Sequence, residues 1–114
     1  KILGGIILPV LPSYSSYSLT NLIYLTRMYV ILVYDIGEKR VGKMLKLCRQ
    51  YLNWIQNSVF EGEITDVKLK ELQHRARLIM DIDQDSIIVF KSRDAKWLEK
   101  EITGKEKNEL NTFL

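Results

Sequence analysis

The residue whose type and position could most directly do chemistry is Asp35, which ends the apolar run Met28-Tyr-Val-Ile-Leu-Val-Tyr-Asp35. A carboxylate there is unfavourable unless it caps a helix, accepts hydrogen bonds or binds a metal ion. Asp is common in helix caps and Asx turns, so periodicity by itself favours a turn residue. The alternative is a ligand for Mg²⁺ or Mn²⁺, which carboxylates hold together with water and phosphate oxygens. A two-fold dimer would supply a second copy of Asp35 to such a site.

The segment after Asp35 is a predicted basic helix at residues 38–52. Its apolar residues recur at helical spacing and predict a core stripe of Val41, Leu45, Cys48 and Leu52. Arg binds phosphate oxygens bidentately and Lys acts as a point charge, so the basic residues could hold nucleic acid without reading its sequence. The plainer alternative, a solvated helix face, stays open. The basic residues are Lys39, Arg40, Lys43, Lys46 and Arg49.

The cysteine and histidine content excludes several kinds of site. With one Cys (Cys48) and one His (His74), the chain can form neither an internal disulfide nor a zinc site of the usual Cys/His kind. A reducing compartment is the simpler reading, so we expect a cytoplasmic protein. Cys48 is a predicted buried hydrophobe and His74 a predicted surface residue. The formal net charge of +3 is compatible with nucleic acid but does not require it.

The remaining patterns supply the elements that must position Asp35. Residues 28–35 and 86–90 are typical of buried strands, and residues 54–64 read as one bent strand or two, with turn or bulge points at Asn57-Ser58 and Gly62. Thr65-Asp66 predicts the start of a second helix, whose stripe is Leu69, Leu72, Ala76 and Ile79. Residues 81–85 form an acidic loop, and residues 95–102 could be a helix or an edge strand. This order predicts an α+β, ferredoxin-like βαββαβ fold, with two helices on one face of an antiparallel sheet.

The composition changes sharply at Met28. Residues 1–27 contain no acidic residue, hold both prolines, and carry only Lys1 and Arg27 as charged groups, so the rest of the chain keeps just +1 of the net charge. The short apolar run at the start is about half the roughly 20 residues that span a bilayer, and no membrane association is expected. We therefore expect an N-terminal extension at 1–27, outside the core, and a ferredoxin-like domain at 28–114. An upstream translated extension, an artificial addition and a genuine extra segment all remain open.

Several pieces together resemble the CRISPR-associated protein two family. They are the strand ending in Tyr-Asp-Ile36, the Lys39-Arg40 pair that opens the basic helix, the run Gln56-Asn-Ser-Val-Phe-Glu-Gly62, and Asp85-Ser-Ile-Ile-Val-Phe90. The strand ending in Tyr-Asp-Ile36 is weak evidence for the family by itself. Its combination with the Gln56 to Gly62 run at this distance is specific. The first 27 residues have no counterpart in the family.

The resemblance implies a homodimer in which the C-terminal strand of each chain extends the partner's sheet. It makes Asp35 the catalytic and metal-binding residue, with two copies facing each other across Mg²⁺ or Mn²⁺. It also implies nucleic-acid contacts by Tyr34, Arg40, Arg49, Ser58 and Phe60. Lys43 of the basic helix is added to this predicted contact surface because of its charge. The aromatic members could stack on bases, although aromatic residues in strands are more often core.

The function that the resemblance implies is CRISPR adaptation. The dimer would bind double-stranded DNA and bridge two dimers of the CRISPR integrase subunit, with metal-dependent endonuclease activity on RNA or DNA as a further role. Two alternatives remain: an interferase-type toxin ribonuclease of the same fold, and an interaction domain that binds no nucleic acid.

Overall fold

The fold is built on one four-stranded antiparallel sheet. The computed structural model describes residues 2–3, 6–7, 26–95 and 98–108. Two short strands, β1 (Ile2–Leu3) and β2 (Ile6–Ile7), pair with each other. The other elements follow in chain order: β3 (Arg27–Asp35), α1 (Glu38–Arg49), β4 (Asn53–Gln56), β5 (Val59–Thr65), α2 (Asp66–Ile79) and β6 (Ser86–Ser92).

The sheet order β4-β5-β3-β6 places β3, which ends in Asp35, at the centre of the sheet. Its neighbours β5 and β6 both run antiparallel to it. The βαββαβ order and the packing of both helices on one sheet face confirm the predicted ferredoxin-like α+β fold. No helix in the described part of the chain is long and apolar enough to cross a membrane.

The core lies between the helices and one face of the sheet. Side chains alternate between the faces of a strand, so every second residue of β3 and β5 points toward the helices. Burying these apolar groups, each worth about 1.5–3 kcal/mol when fully covered, drives the packing. The buried residues are Val30, Leu32, Tyr34, Met44, Leu47, Cys48, Leu52, Phe60, Ile64, Leu69, Leu72 and Ala76.

A tight turn at Asn57-Ser58 divides the predicted extended segment into two strands, β4 and β5. Asn57 has φ of 44°, a left-handed conformation that Asn adopts more readily than most residues. The pairing shifts by one residue between Trp54 and Gln56, which marks a bulge in β4. Gly62, the other predicted turn or bulge point, lies inside β5 in regular register opposite Val30.

The stripe predicted for α1 is wrong in part. The helix ends at Arg49 instead of residue 52, and Val41 is 36% exposed, whereas Met44 and Leu47 are buried. At 100° per residue, the fully buried residues of the helix are centred roughly 75° from the predicted stripe. The other stripe residues are placed as predicted: Cys48 and Leu52 are buried, and Leu45 packs against the core. The sequence offers apolar residues on two adjoining faces, and contact with the sheet selects one.

The second helix matches its prediction closely. Thr65 is its N-cap, and the Thr65 hydroxyl accepts a hydrogen bond from the Lys68 N–H at 3.2 Å. The predicted stripe residues are buried or packed against the core. His74 lies on the exposed side, as expected.

Strand β6 is longer and more exposed than predicted. It is an edge strand, and Ile88 and Phe90 are 52% and 58% exposed on the sheet face opposite the helices, which we call the open face. The prediction of a buried strand fails because only one of its faces meets the helices. Within the described residues, 98–108 form neither the helix nor the edge strand considered for 95–102. Residues 109–114, including Phe113 and Leu114, lie outside the described part.

Candidate metal and nucleic-acid site

Asp35 is the exposed last residue of β3. Because Leu32 and Tyr34 point toward the helices, strand alternation places Asp35 on the open face. Within residues 26–95 and 98–108, no hydrogen bond or ion pair engages its carboxylate. The cap predicted from periodicity is wrong, because the N-cap of α1 is Gly37 and no side chain caps that end in the usual local manner.

A residue distant in sequence takes over the capping role. The Gly37 N–H donates to Asp85 Oδ1 at 2.9 Å, across 48 positions of sequence. Arg40 donates to the same carboxylate twice, from Nε to Oδ2 at 2.6 Å and from Nη2 to Oδ1 at 2.9 Å. The Asp81 N–H donates to Oδ2 at 2.9 Å. Four donors therefore converge on one carboxylate, and we call Asp85 and Arg40 the clamp.

The clamp is an ion pair with a buried acidic partner. The Asp85 side chain is 1% exposed and the Arg40 side chain 27% exposed. The hydrogen bonds from Arg40, joined by those from the backbone at Asp81 and Gly37, hold the pKa of Asp85 well below its usual range, against the opposing effect of burial. The negative charge also lies at the N-terminal end of α1, where the helix dipole favours it.

Gly37 leaves space for the Arg40 side chain. Its φ of −57° is open to any residue, so backbone freedom does not explain the glycine. A Cβ at this position would lie 2.5 Å from Arg40 Nη2 and 3.1 Å from Arg40 Cζ. The guanidinium therefore covers the Gly37 Cα on its way to Asp85.

The basic residues predicted to bind nucleic acid occupy three different surroundings. Lys43 is exposed on α1, as Lys39 and Lys46 are. Arg40 has Nε and Nη2 committed to Asp85. Arg49 is exposed and lies 5.7 Å from the centre of the Trp54 ring. It is eleven positions after Glu38, so it lies about 16 Å along the axis from the helix start that adjoins Asp35.

The other predicted contact residues separate into core and turn. Tyr34 and Phe60 are 5% and 0% exposed, with ring centroids 5.8 Å apart, so both rings are closed to stacking on a base in this structure. Their role here is packing, because both belong to the face that the helices cover. Burial also raises the pKa of Tyr34. Ser58 is half-buried, and its carbonyl accepts from the Tyr34 N–H at 3.1 Å, next to Asp35.

Sequence reasoning missed two residues at this sheet end. The sequence pattern assigned Asp85 to an acidic loop. The signals for a further role were its position directly before the strand at 86–90 and its place at the start of the motif Asp85 to Phe90. Ser86 pairs with Asp35 across the β3–β6 register, which no pattern within one segment could reveal.

The donor type at Asp35 suits Mg²⁺ or Mn²⁺, since both prefer carboxylate oxygen. Among the described residues, no group of three or more His, Cys, Asp or Glu side chains could hold a metal ion. Asp35 would supply one carboxylate to such a site, and the other ligands would have to come from outside this group of side chains.

The open face carries a cleft beside the C-terminal segment. Tyr29, Ile31 and Val59 line it from the sheet, and Leu98 and Ile102 line it from residues 98–105. Glu61 accepts from the Tyr29 hydroxyl at 2.5 Å and forms an ion pair with Lys100. Burial, together with that hydrogen bond and the Glu61 charge, raises the pKa of Tyr29.

Comparison with known proteins gives this arrangement a family. The family model described as CRISPR associated protein Cas2 matches residues 28–100. The CRISPR-associated endoribonuclease Cas2 of Dictyoglomus turgidum is 45% identical over 87 residues, which cover 76% of this chain and all of that protein. The protein of the same description from Fusobacterium nucleatum is 41% identical over 93 residues, covering 77% of this chain and 88% of its own length.

Solved structures agree with the sequence relatives. A crystal structure of Cas2 is 38% identical with a TM-score of 0.67, covering 77% of this chain and 99% of that one. The crystal structure of Streptococcus pyogenes Cas2 at pH 6.5 is 29% identical with a TM-score of 0.59, covering 67% of this chain and all of that one. The strand that ends in an unengaged Asp35, the fold around it and these matches agree: the chain belongs to the CRISPR-associated protein Cas2 family.

Proposed function

We propose that this chain is a metal-dependent endonuclease subunit of a CRISPR system, in which Asp35 binds Mg²⁺ or Mn²⁺. The observation that carries the proposal is the Asp35 carboxylate itself, exposed at the end of the central strand and engaged by no described residue. The clamp supports it, because Asp85 supplies the cap that would otherwise explain Asp35. The relatives named endoribonucleases point to RNA as one substrate class.

The metal would be held between two copies of Asp35 in a homodimer formed through the open face. Ile88 and Phe90 support this dimer, because two large apolar side chains more than half exposed on one face favour burial against a second surface. Asp35 lies on that same face, so a two-fold axis near it would bring both carboxylates together. In the family arrangement, the C-terminal strand of each chain would also extend the partner's sheet.

When bound, the metal would lower the pKa of a coordinated water and offset charge on phosphate oxygens. The chain's own contribution is narrower. Asp35 anchors the cation, and Ser86 and Ser58 lie beside it at the end of the sheet. No described residue stands out as a separate general base, so positioning and electrostatics would carry the reaction.

We further propose that the dimer acts in spacer acquisition, binding double-stranded DNA and bridging dimers of the CRISPR integrase subunit. The exposed lysines of α1 support DNA binding, since Lys39 and Lys43 form no ion pair among the described residues. Arg49 can add a contact at the far end of the helix. Tyr34 and Phe60 are left out of the contact surface because they lie in the core.

The test is Asp35→Asn, which keeps the size of the side chain and removes its charge. We expect loss of Mn²⁺-dependent cleavage of RNA and DNA, and loss of Mn²⁺ binding measured by electron paramagnetic resonance. Asp83→Asn is the matched control, because Asp83 is an exposed carboxylate of the loop before β6. Cleavage by a clean preparation of Asp35→Asn at the wild-type rate would refute Asp35 as the metal ligand.

A further inference from the structure

The clamp joins the turn that follows Asp35 to the strand end that lies beside Asp35. Asp85 accepts from the Gly37 N–H, two positions after Asp35 along the chain. Ser86, the residue after Asp85, pairs with Asp35 across the β3–β6 register. The same carboxylate therefore fixes the turn that leaves β3 and the strand that lies beside its last residue.

The clamp makes more hydrogen bonds than a simple ion pair between a loop and a helix needs. Its four hydrogen bonds come from the turn before α1, the first turn of α1 and the loop after α2. The Asp85 side chain is 1% exposed, so removing any one donor leaves a buried charge without its full set of partners. A Cβ at position 37 would force the Arg40 guanidinium to shift from its place beside Asp85.

We propose that Arg40 and Asp85 are positioning residues, which hold the turn after β3 so that the Asp35 carboxylate keeps the orientation a metal ion needs. The proposal rests on the proposed function of Asp35. It gives Arg40 a role different from the phosphate contact predicted from its charge, because two donor positions of its guanidinium are bound to Asp85. Groups that orient a metal ligand typically change metal affinity or activity by roughly 10–100-fold when they are lost.

Two substitutions separate positioning from phosphate binding. Arg40→Lys keeps the positive charge but cannot make the two-point contact with Asp85. Positioning predicts that Arg40→Lys weakens Mn²⁺ binding about ten-fold or more while the affinity for nucleic acid, measured without metal, stays unchanged. A phosphate contact at Arg40 predicts the reverse: Mn²⁺ binding stays unchanged and nucleic-acid binding weakens, because Lys cannot hold a phosphate bidentately. Asp85→Asn should weaken Mn²⁺ binding as much as Arg40→Lys does. Because Asp85 carries no positive charge, the loss of a phosphate contact could not explain that effect.

A readout that needs neither metal nor substrate completes the test. In ¹H–¹⁵N NMR spectra of the metal-free protein, Asp85→Asn and Arg40→Lys should both shift the Gly37 and Asp35 amide signals and speed hydrogen exchange at Gly37. Gly37→Ala should do the same by displacing the guanidinium. Glu71→Gln is the matched control, because Glu71 also accepts from one cation but lies on the exposed side of α2.

The outcomes distinguish the two proposals. Mn²⁺ binding that survives Asp35→Asn overturns the proposed function. Mn²⁺ binding that depends on Asp35 but survives both Asp85→Asn and Arg40→Lys overturns the positioning role alone. Unchanged Gly37 and Asp35 amide signals in both clamp variants overturn it as well, whatever the metal does.

Discussion

The lysines on the first half of α1 give the sharpest test of nucleic-acid binding. Lys39 and Lys43 are exposed and four residues apart, so they lie about 6 Å from each other along the helix axis. Neither forms an ion pair within the described residues, so each is available to a phosphate. We expect the double variant Lys39→Gln, Lys43→Gln to bind duplex DNA more weakly and with less dependence on salt.

The magnitude follows from counterion release. Each phosphate contact adds about 0.9 to the slope of log affinity against log salt for duplex DNA, so two lost contacts lower that slope by about 1.8. Between 50 and 200 mM salt, wild-type protein should then lose roughly twelve-fold more affinity than the double variant. On single-stranded RNA, at about 0.7 per contact, the slope should fall by about 1.4.

The assay is fluorescence anisotropy with a labelled duplex of mixed sequence at four or more salt concentrations. The matched control is Lys105→Gln, Lys107→Gln, which removes the same charge from two exposed residues of the C-terminal segment instead of from α1. If the Lys39/Lys43 variant keeps the wild-type slope, or if the control lowers the slope equally, α1 is not the phosphate-binding surface.

The remaining predictions concern two buried side chains and the open face of the sheet. Burial raises the pKa of Cys48 to about 12 from an ordinary 9.0, so its thiolate fraction at pH 8 should be about a thousand-fold lower than that of an unperturbed thiol. Labelling with a disulfide reagent should therefore be slow in native protein and fast in guanidinium; similar rates would contradict the buried placement. Because the pKa of Asp85 is lowered on folding, its stabilising effect is complete above the ordinary Asp value near 3.9 and declines as pH falls below it. The difference in thermal midpoint between wild type and Asp85→Asn should accordingly shrink from pH 6 to pH 2.5, and a constant difference would argue against an ionised Asp85 in the fold. Phe90→Ser should lower dimer affinity in analytical ultracentrifugation if the open face is the dimer surface, while the exposed α2 variant Leu78→Ser should leave it unchanged.

The sequence by itself predicted the order of the main strands and helices and drew attention to Asp35. The apolar run ending at Asp35, the turn at Asn57-Ser58 and the cap at Thr65 all have local causes: side-chain alternation, tolerance of a left-handed φ, and a hydroxyl that accepts from the helix N-terminus. Such causes act within a few residues, so they can be read from a pattern. The strand–helix order then limited the fold to very few arrangements.

Only the tertiary structure decided which charges are free. Arg40 and Lys43 look alike in the sequence, yet Arg40 is bound to Asp85, 45 positions away, and Lys43 is exposed. Likewise, Asp85 and Asp83 belong to one acidic loop, but only Asp85 lies close enough to α1 to be buried and paired. The physical reason is that a charge is either solvated or paired according to its neighbours in space, and strand register and helix packing set those neighbours. Asp35 thus has no partner among the described residues, and it is Asp85 that caps the helix.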